Sequence, residues 1–305
     1  MKLSIITINY NNAAGLRRTL DSVASQRLDI STVGKLPLEV EHIIVDGNST
    51  DESVQIIRDY EQQLSSSSIS LIWVSEPDKG IYNAMNKGIR LASGDYIQIL
   101  NSGDILASED VTERMIKSLY ELNEEVNYAD ALNEPLMLND GVLILYGNMI
   151  KKDYATGKII GKSAEVEYSL RQYYCSTMNH DCCYIRRDLF EKYGLYDENL
   201  KIVSDWKWFL QAIGLGPIRP VYVDIDVTIF DASGISEQNL ELRNNERRQV
   251  LEEVMPPAVL ADYDAYAFEM EQMKRLRRWK LYPLVYFMER VLFKLEKWGM
   301  SELTN

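Results

Sequence analysis

The stretch LSIITINYNN, residues 3–12, joins a short apolar run rich in isoleucine to a cluster of asparagines. A short apolar run bounded by turn residues is typical of a buried strand. Two more such runs follow: residues 40–45 stop at the turn sequence DGN, and residues 71–74 come just before EPDKG at 76–80. Apolar residues recur at helical spacing after each run. Strands that alternate with helices of this length predict βαβ units and a mostly parallel sheet, hence an α/β fold.

The remaining elements are predicted from the same periodicities. Ser49 and Glu52 have the spacing of a capping box for the helix after the second strand. The other predictions are a helix over 81–91, a strand over 96–100, helices over 185–193 and 203–215, and a strand over 221–230. Residues 123–170 are irregular, and the sequence assigns no element to most of them.

Polar clusters follow four of the predicted strands, at 9–12, 46–48, 76–80 and 101–104. In open parallel sheets, ligands bind outside the carboxyl ends of the strands. Asn, Asp and Gly are also ordinary turn residues, so any one cluster is ambiguous. Four clusters at equivalent strand ends favour a binding site.

Composition narrows the possible partners and compartment. The formal net charge is −13, with 33 basic and 46 acidic residues, which disfavours a general nucleic-acid binder. The three cysteines are too few for a disulfide framework, and we expect reduced, buried thiols. No signal-peptide pattern and no membrane-spanning run is found in the sequence, so a cytoplasmic protein is expected.

Common nucleotide and hydrolase motifs are missing from the sequence, including GxGxxG, GxxxxGK[ST], GxSxG and HExxH. Carboxylates at the strand ends remain as candidates. Asp46 could bind a nucleobase or ribose, or it could form an Asx turn. Asp78 with Lys79 could face a phosphate, or Asp78 could cap the next helix. Asp104 could bind Mg²⁺ or Mn²⁺ with a diphosphate, or it could belong to a plain β-turn.

Four motifs together resemble family 2 glycosyltransferases. They are LSIITINYNN at 3–12, HIIVDGNSTD at 42–51, EPDKGIYNAMNKG at 76–88 and SGDYIQILNSGD at 93–104. The resemblance covers residues 1 to about 235 and is weaker after residue 105. It implies an inverting enzyme with a GT-A-like fold that uses nucleotide-diphosphate sugars, often in bacterial surface polysaccharide synthesis. The expected donor is a UDP-sugar and the expected acceptor a carbohydrate or lipid-linked saccharide.

The resemblance also assigns roles to matching residues. Asp205 would be the general base that takes the proton from the acceptor hydroxyl, although an acidic residue at a helix start can simply favour the helix dipole. Asn101 and Asp104 would bind a divalent cation through a degenerate Asp-x-Asp motif, whose second position here is Gly103. Metal independence stays open. The expected donor-binding residues are Thr7, Asn9, Tyr10, Asp46, Asp78, Lys79, Asn101 and His180.

The predicted organisation is a catalytic domain, 1–235, and a helical C-terminal extension, 236–305. Residues 1–122 would form the nucleotide-sugar half of the catalytic domain and residues 123–235 the acceptor half. The extension carries a basic run at 274–280 and an apolar series at 281–298. This tail could bind the inner face of the plasma membrane, or pack on the protein or on a second subunit.

Two alternatives to the transferase remain open at this point. One is a catalytically silent relative that serves as a scaffold in polysaccharide assembly. The other is a nucleotidyltransferase, for which the sequence lacks the usual Gly-rich basic loop after the first strand.

Overall fold

The computed structural model describes residues 1–28, 38–131, 141–232 and 239–278, and part of 284–293. The strands of these residues are β1 (Lys2–Asn9), β2 (Glu39–Asp46), β3 (Ile69–Ser75), β4 (Tyr96–Ile99), β5 (Ile105–Leu106), β6 (Ile144–Asp153), β7 (Lys158–Lys162), β8 (Cys183–Arg186) and β9 (Val221–Asp231). The α-helices are α1 (Ala13–Ala24), α2 (Ser53–Gln63), α3 (Ile81–Leu91), α4 (Val111–Ala131), α5 (Leu170–Cys175), α6 (Asp188–Lys192), α7 (Ser204–Phe209), α8 (Leu240–Val254) and α9 (Pro257–Arg277). A π-helical turn at Leu210–Gly214 continues α7.

The first four strands form the parallel half of the sheet, in the order β3-β2-β1-β4. Asn9 at the end of β1 pairs in register with Asp46 at the end of β2, and Asp46 pairs with Ser75 at the end of β3. The predicted alternation of strands and helices is confirmed here. The register brings the polar strand ends to one edge of the sheet.

The second half of the chain extends the sheet with mixed pairing. β8 is antiparallel to both β4 and β6, β6 is parallel to β9, and β9 is antiparallel to the short β5. β7 pairs with β6 at the margin. The unassigned stretch 123–170 therefore supplies two strands. The fold is α/β, with a parallel first half and a mixed second half.

Helix α3 illustrates how the helices pack on this sheet. Its side chains Tyr82, Met85 and Ile89 are buried on one face at helical spacing. Burial of each large apolar side chain contributes roughly 1.5–3 kcal/mol. Gly88 lies on the same face, where a Cβ would overlap the side chain of Ile6 in β1. Close approach of α3 to the sheet thus depends on glycine at this position.

Two local predictions are wrong. Helix α2 begins at Ser53 after Glu52, without a side-chain cap, because the Ser49 hydroxyl donates to Asp46 rather than capping the helix. The helix predicted over 185–193 is instead strand β8 followed by the short α6, since Tyr184 and Ile185 pair with β6.

The cysteine prediction is confirmed in part. All three thiols are free, and Cys182 and Cys183 are buried, but Cys175 is exposed.

The chain forms two compact units, Met1–Val250 and Leu251–Asn305. The functional division at residue 235 stays a prediction. Most of the apolar series 281–298 lies outside the described residues. Within the described part of the chain, no helix is both long enough and apolar enough to cross a membrane.

Candidate active site

Asp46 is the centre of a hydrogen-bond network at the carboxyl ends of the parallel strands. Its Oδ1 accepts from Asn9 Nδ2 at 2.8 Å and from the Ser49 hydroxyl at 2.5 Å. Its Oδ2 accepts from the Ser49 backbone N–H at 2.9 Å and from the Ser75 hydroxyl at 2.7 Å. The residue is fully buried. Asp46 therefore fixes the strand ends, and its bond to the Ser49 N–H is a local contact with a backbone group three residues on.

Asn9 extends this network to the fourth strand. Its Oδ1 accepts from the Ser102 hydroxyl at 2.8 Å, and Asn12 Nδ2 donates to the Ser102 carbonyl at 3.0 Å. Two of the predicted site residues, Asn9 and Asp46, thus lie in one polar network that spans β1, β2 and the turn after β4.

Tyr10, Gly47 and Asp78 lie next to one another on the surface of this edge. A Cβ at Gly47 would overlap Asp78 Oδ2 and would lie 3.1 Å from Tyr10 Cδ2. The Tyr10 side chain is 65% exposed. Asp78 Oδ1 accepts from the Gly80 N–H at 2.9 Å, and Lys79 is exposed beside it. An open aromatic face beside a carboxylate and an ammonium is suited to binding a nucleotide.

Thr7 is an expected donor residue whose side chain lies away from the surface formed by Tyr10, Gly47 and Asp78. Its side chain is buried within the sheet, and its hydroxyl lies 2.9 Å from His42 Nε2. His42 Nδ1 lies 2.9 Å from the Tyr60 hydroxyl. No contact among the described residues supports a donor-binding role for Thr7, which stays a prediction.

A second cluster joins the expected base to the turn after β4. His180 Nδ1 lies 3.0 Å from Asp205 Oδ2, and His180 Nε2 lies 3.1 Å from Asn101 Nδ2. The Tyr82 hydroxyl donates to Asp205 Oδ1 at 2.8 Å. The side chains of His180 and Asp205 are 17% and 16% exposed, so both keep some access to solvent. The structure therefore brings together three residues, Asn101, His180 and Asp205, that lie far apart in the sequence.

The electrostatics of this cluster favour an ion pair. Burial alone would raise the pKa of Asp205, but the hydrogen bond and charge of His180, together with the Tyr82 hydroxyl, lower it below its ordinary value. Burial alone would lower the pKa of His180, but the hydrogen bond and charge of Asp205 raise it to about 9. Asp205 is thus held as a carboxylate at neutral pH, as a general base requires.

The turn between β4 and β5 tests the expected metal site. Asn101 Oδ1 is buried and has no hydrogen-bond partner among the described residues, so it is available to a cation or, after a half-turn of the amide, to His180 Nε2. Gly103 has φ +112° and contributes no side chain. Asp104 Oδ1 accepts from the Asp231 N–H at 3.0 Å. Burial, followed by the nearby charge of Asp181, raises the pKa of Asp104 well above its ordinary value.

These donors fit a divalent cation that the protein would share with a diphosphate. One or two carboxylates plus substrate phosphates suffice for Mg²⁺, and an amide oxygen is an acceptable further ligand. The described residues contain no group of three or more His, Cys, Asp or Glu side chains that could hold a metal. Asn101 and Asp104 are therefore the groups that would supply the protein's share of the ligands.

Asp205 is held in place by packing behind helix α7. Glu246 of α8 accepts the backbone N–H groups of Lys201 and Ile202, at 2.6 and 2.9 Å, just before the helix. Trp206 Nε1 donates to the Tyr173 carbonyl at 2.6 Å. These contacts fix the segment that leads into Asp205.

Several residues at the site were not expected from the sequence. Tyr82 lies inside the motif at 76–88, shortly after Asp78. This position in the sequence could have identified it as a site residue. The hydroxyls of Ser49, Ser75 and Ser102 were not distinguishable from ordinary turn residues. Glu246 gave no signal, because it acts across 44 or more residues of sequence.

Comparisons with known proteins agree with this geometry. The chain matches the family model described as glycosyl transferase family 2 over residues 4–194. It is 29% identical over 235 residues to an uncharacterized glycosyltransferase of Mycobacterium tuberculosis, with 76% of each chain covered. It is 27% identical over 231 residues to a PGL/p-HBAD biosynthesis glycosyltransferase of Mycobacterium bovis, with 76% of this chain and 77% of that protein covered.

Two solved structures show the same fold. A fragment of S. aureus TarS, residues 1–349, in complex with UDP-GlcNAc has a TM-score of 0.57 at 18% identity. This likeness covers 86% of the chain and spans 66% of the TarS fragment. The mannosyltransferase PcManGT of Pyrobaculum calidifontis, in complex with GDP-Man and Mn²⁺, has a TM-score of 0.53 at 16% identity, with 95% of this chain and 84% of that chain covered.

The expected GT-A-like fold is thereby confirmed, and a sugar-transferring enzyme is favoured over a nucleotidyltransferase. Since the family match spans more than half of the 305 residues, the chain is a glycosyltransferase that belongs to glycosyl transferase family 2.

Proposed function

We propose that this glycosyltransferase moves a sugar from a nucleotide-diphosphate donor, with a UDP-sugar as the expected donor, to an acceptor hydroxyl with inversion at the anomeric carbon. The observation that carries the proposal is the Asp205 carboxylate, fixed by Tyr82 and His180 and joined through His180 to Asn101. This arrangement sets one ionised base beside the turn that follows the donor-side strands.

The donor would bind across the carboxyl ends of β1 to β4. Tyr10 offers an exposed ring for the base, and Asp78 offers a carboxylate within the same surface. Asn9 and Asp46 would keep the strand ends in place, since their hydrogen bonds already join three strands. Lys79 is exposed next to Asp78, where its ammonium can meet a phosphate.

The reaction would be a single displacement. Asp205 takes the proton as the acceptor O–H bond breaks, and the acceptor oxygen forms a bond to the anomeric carbon. The bond from that carbon to the diphosphate oxygen breaks, and its electron pair leaves with the nucleoside diphosphate. Because attack and departure occur on opposite faces, the configuration inverts and no covalent sugar intermediate is required.

A divalent cation, Mg²⁺ or Mn²⁺, would supply positive charge to the departing diphosphate when bound. Asn101 Oδ1 and the Asp104 carboxylate would be its protein ligands. Support comes from the unpartnered amide oxygen of Asn101 and from the Mn²⁺ in the PcManGT complex.

The acceptor is proposed to be a saccharide of the bacterial cell surface, free or carried on a lipid. The relative named for PGL/p-HBAD biosynthesis supports this class of acceptor. We also infer that the enzyme works at the cytoplasmic face of the membrane. The basic run at 274–280 and exposed apolar side chains in the unit 251–305, including Phe268, Phe287 and Phe293, are suited to an anionic lipid surface.

Calorimetric titration tests the donor and the cation together. UDP, GDP and dTDP are each titrated with Mn²⁺ and with EDTA, against wild type and Asp205→Asn. The proposal expects one nucleotide, UDP, to bind with Mn²⁺, and expects Asp205→Asn to bind it equally well but to lose turnover. Full activity of Asp205→Asn would refute the base assignment, and unchanged binding in EDTA would refute the cation.

Vesicle sedimentation tests the membrane contact. Vesicles with and without phosphatidylglycerol are mixed with the full chain and with a chain truncated after residue 278. Salt-sensitive binding of the full chain to the anionic vesicles alone is expected. A dimer in sedimentation velocity, without vesicle binding, would assign the tail to a subunit interface instead.

A further inference from the structure

Tyr82 is a buried side chain that contacts the Asp205 carboxylate directly. It is the second residue of α3, its ring is buried, and its hydroxyl donates to Asp205 Oδ1 at 2.8 Å. His180 occupies the other oxygen of the same carboxylate. The Trp206 backbone N–H is a third partner of the carboxylate. A carboxylate can accept about four hydrogen bonds, so acceptor capacity remains on Asp205 for an acceptor hydroxyl.

Two partners of Asp205 fix the plane of its carboxylate from two separate earlier segments of the chain. Tyr82 lies 123 residues before it and His180 lies 25 residues before it. A carboxyl group held at both oxygens by different elements cannot rotate about its χ2 without breaking one bond. The carboxylate is thereby preorganised, which is the state that makes general-base catalysis efficient.

Helix α3 holds Tyr82 in a fixed position. Asn86 Nδ2 donates to the Tyr196 carbonyl at 2.8 Å and to Glu198 Oε1 at 2.9 Å. The Tyr196 N–H donates in return to Asn86 Oδ1 at 3.0 Å. These bonds join the middle of α3 to the segment 196–198, so the Tyr82 hydroxyl is held at a fixed distance from the base.

The first turn of α3 also contacts the loop at 78–80, called the donor loop here because it contains the expected donor residues Asp78 and Lys79. The Lys79 N–H donates to Asn83 Oδ1 at 3.1 Å, and the Gly80 N–H donates to Asp78 Oδ1 at 2.9 Å. Asp78 and Lys79 are therefore anchored to the first turn of α3, where Tyr82 also lies. A displacement of this turn would move the donor loop and the base contact together.

We propose that Tyr82 is a positioning residue for the reaction, which orients the Asp205 carboxylate and keeps it ionised through the hydrogen bond to Oδ1. This inference rests on the proposed function of Asp205 as the general base. It extends the site by a residue that acts through the Asp205 carboxylate.

Other titratable or charged groups also lie near Asp205. His180 bonds to Oδ2, and Arg247 lies over the Trp206 ring at 4.7 Å and interacts with Asp205 through its charge. Tyr196 has its ring centroid 5.7 Å from that of Tyr82, but its buried hydroxyl has no partner in the described part of the chain. Tyr196 is therefore a matched control, a buried tyrosine near the base that makes no bond to it.

The test compares Tyr82→Phe with Tyr196→Phe and Asp205→Asn. UDP release from UDP-glucose and UDP-N-acetylglucosamine is followed from pH 2.5 to 9, with water as acceptor. For Tyr82→Phe we expect kcat to fall about tenfold, with the donor KM within about twofold of wild type, because orientation and not binding is lost. The acidic limb of the plot of kcat against pH should move to higher pH by roughly half to one pH unit, because a hydrogen bond that favours the carboxylate is removed.

A second readout does not depend on turnover. In protein labelled with ¹³C at the aspartate carboxyl carbon, the Asp205 resonance is identified by its loss in Asp205→Asn. The pH at the midpoint of its titration should rise in Tyr82→Phe and stay at the wild-type value in Tyr196→Phe. An unshifted midpoint and profile in folded Tyr82→Phe would overturn the inference.

Failure of the proposed function gives a different result. If Asp205→Asn keeps full activity, the base assignment fails whatever Tyr82 does. If Asp205→Asn is inactive and Tyr82→Phe matches wild type in kcat, pH profile and carboxyl midpoint, the base stands and only the role of Tyr82 is lost.

Discussion

His180 Nδ1 and Asp205 Oδ2 are 3.0 Å apart, and each side chain is more than four-fifths removed from solvent. The pair links the single-turn helix at 180–182 to the start of α7. The pKa values of the two residues shift as expected of an ion pair, since the pKa of His180 rises to about 9 and the pKa of Asp205 falls. The pair therefore couples the stability of the site to pH.

Replacement of His180 should remove a pH-dependent part of the stability. The pKa of His180 is raised from 6.5 to about 9, so its contribution is complete below pH 6.5 and disappears as pH rises through 9. The free energy of unfolding of wild type minus that of His180→Asn should shrink from pH 6.5 to 9. Urea unfolding of both proteins at intervals of half a pH unit measures this difference in unfolding free energy. Parallel curves for the two proteins would contradict the ion pair.

His42 should act with the opposite sign. Burial lowers its pKa to about 3, so the folded protein holds a neutral imidazole between Thr7 and Tyr60. Its contribution is complete above pH 6.5 and is lost as pH falls toward 3, because the unfolded chain takes up the proton first. In urea unfolding, His42→Gln should lose less stability than wild type between pH 6.5 and 4. Gly161→Ala, where a Cβ meets only Lys151 Cβ at 3.8 Å, is the control and should retain the wild-type acid loss.

Asp46→Asn should weaken both folding and nucleotide binding. An amide keeps one acceptor oxygen, so at least one of the four donors around the carboxylate, from Asn9, Ser49 and Ser75, loses its partner. An unsatisfied buried donor costs roughly 1–3 kcal/mol. Urea unfolding and calorimetry with UDP measure the two effects.

Asp78→Asn is the matched control for Asp46→Asn. Asp78 accepts a backbone hydrogen bond from Gly80 and lies at a more open position. We expect its unfolding free energy to change by less than about 1 kcal/mol while the affinity for UDP falls. Equal loss of stability in both variants would show that Asp46 has no special structural role.

Gly47→Ala should impair nucleotide binding without loss of stability. The new methyl group would overlap Asp78 Oδ2 and press on the Tyr10 ring, and both side chains have room to move outward. UDP affinity should fall by about tenfold, equivalent to about 1.4 kcal/mol, while the unfolding midpoint stays within experimental error. Gly161→Ala, where a Cβ meets only Lys151 Cβ at 3.8 Å, is the control. Wild-type affinity in Gly47→Ala would place the nucleotide elsewhere.

The parallel half of the fold was predictable because its signals are local. Strand β1 is rich in isoleucine and ends at turn residues, the buried apolar side chains of helix α3 recur at helical spacing, and α3 matches its predicted bounds of 81–91. The second half was less readable. Strand β8 has four residues, too few to show a clear strand pattern, and its sequence predicts the start of a helix. Its pairing with β4 and β6 depends on distant parts of the chain.

The candidate site divides in the same way. The strand-end residues Asn9 and Asp46 were expected together because parallel strands bring their carboxyl ends to one edge. The contact of Tyr82 with Asp205 depends on how α3 and α7 pack, and no sequence periodicity encodes a side-chain pair 123 residues apart. Burial of Thr7 follows from its inward position in β1, which motif matching alone does not reveal.

Gly103 limits how a further carboxylate could be added to the turn between β4 and β5. Its φ of +112° lies where side chains other than that of glycine are strained. An aspartate at this position would cost roughly 1–3 kcal/mol unless the turn changed shape. A carboxylate at position 103 therefore requires remodelling of the backbone as well as a change of residue. The single substitution Gly103→Asp would yield a strained loop before it yielded a stronger cation site.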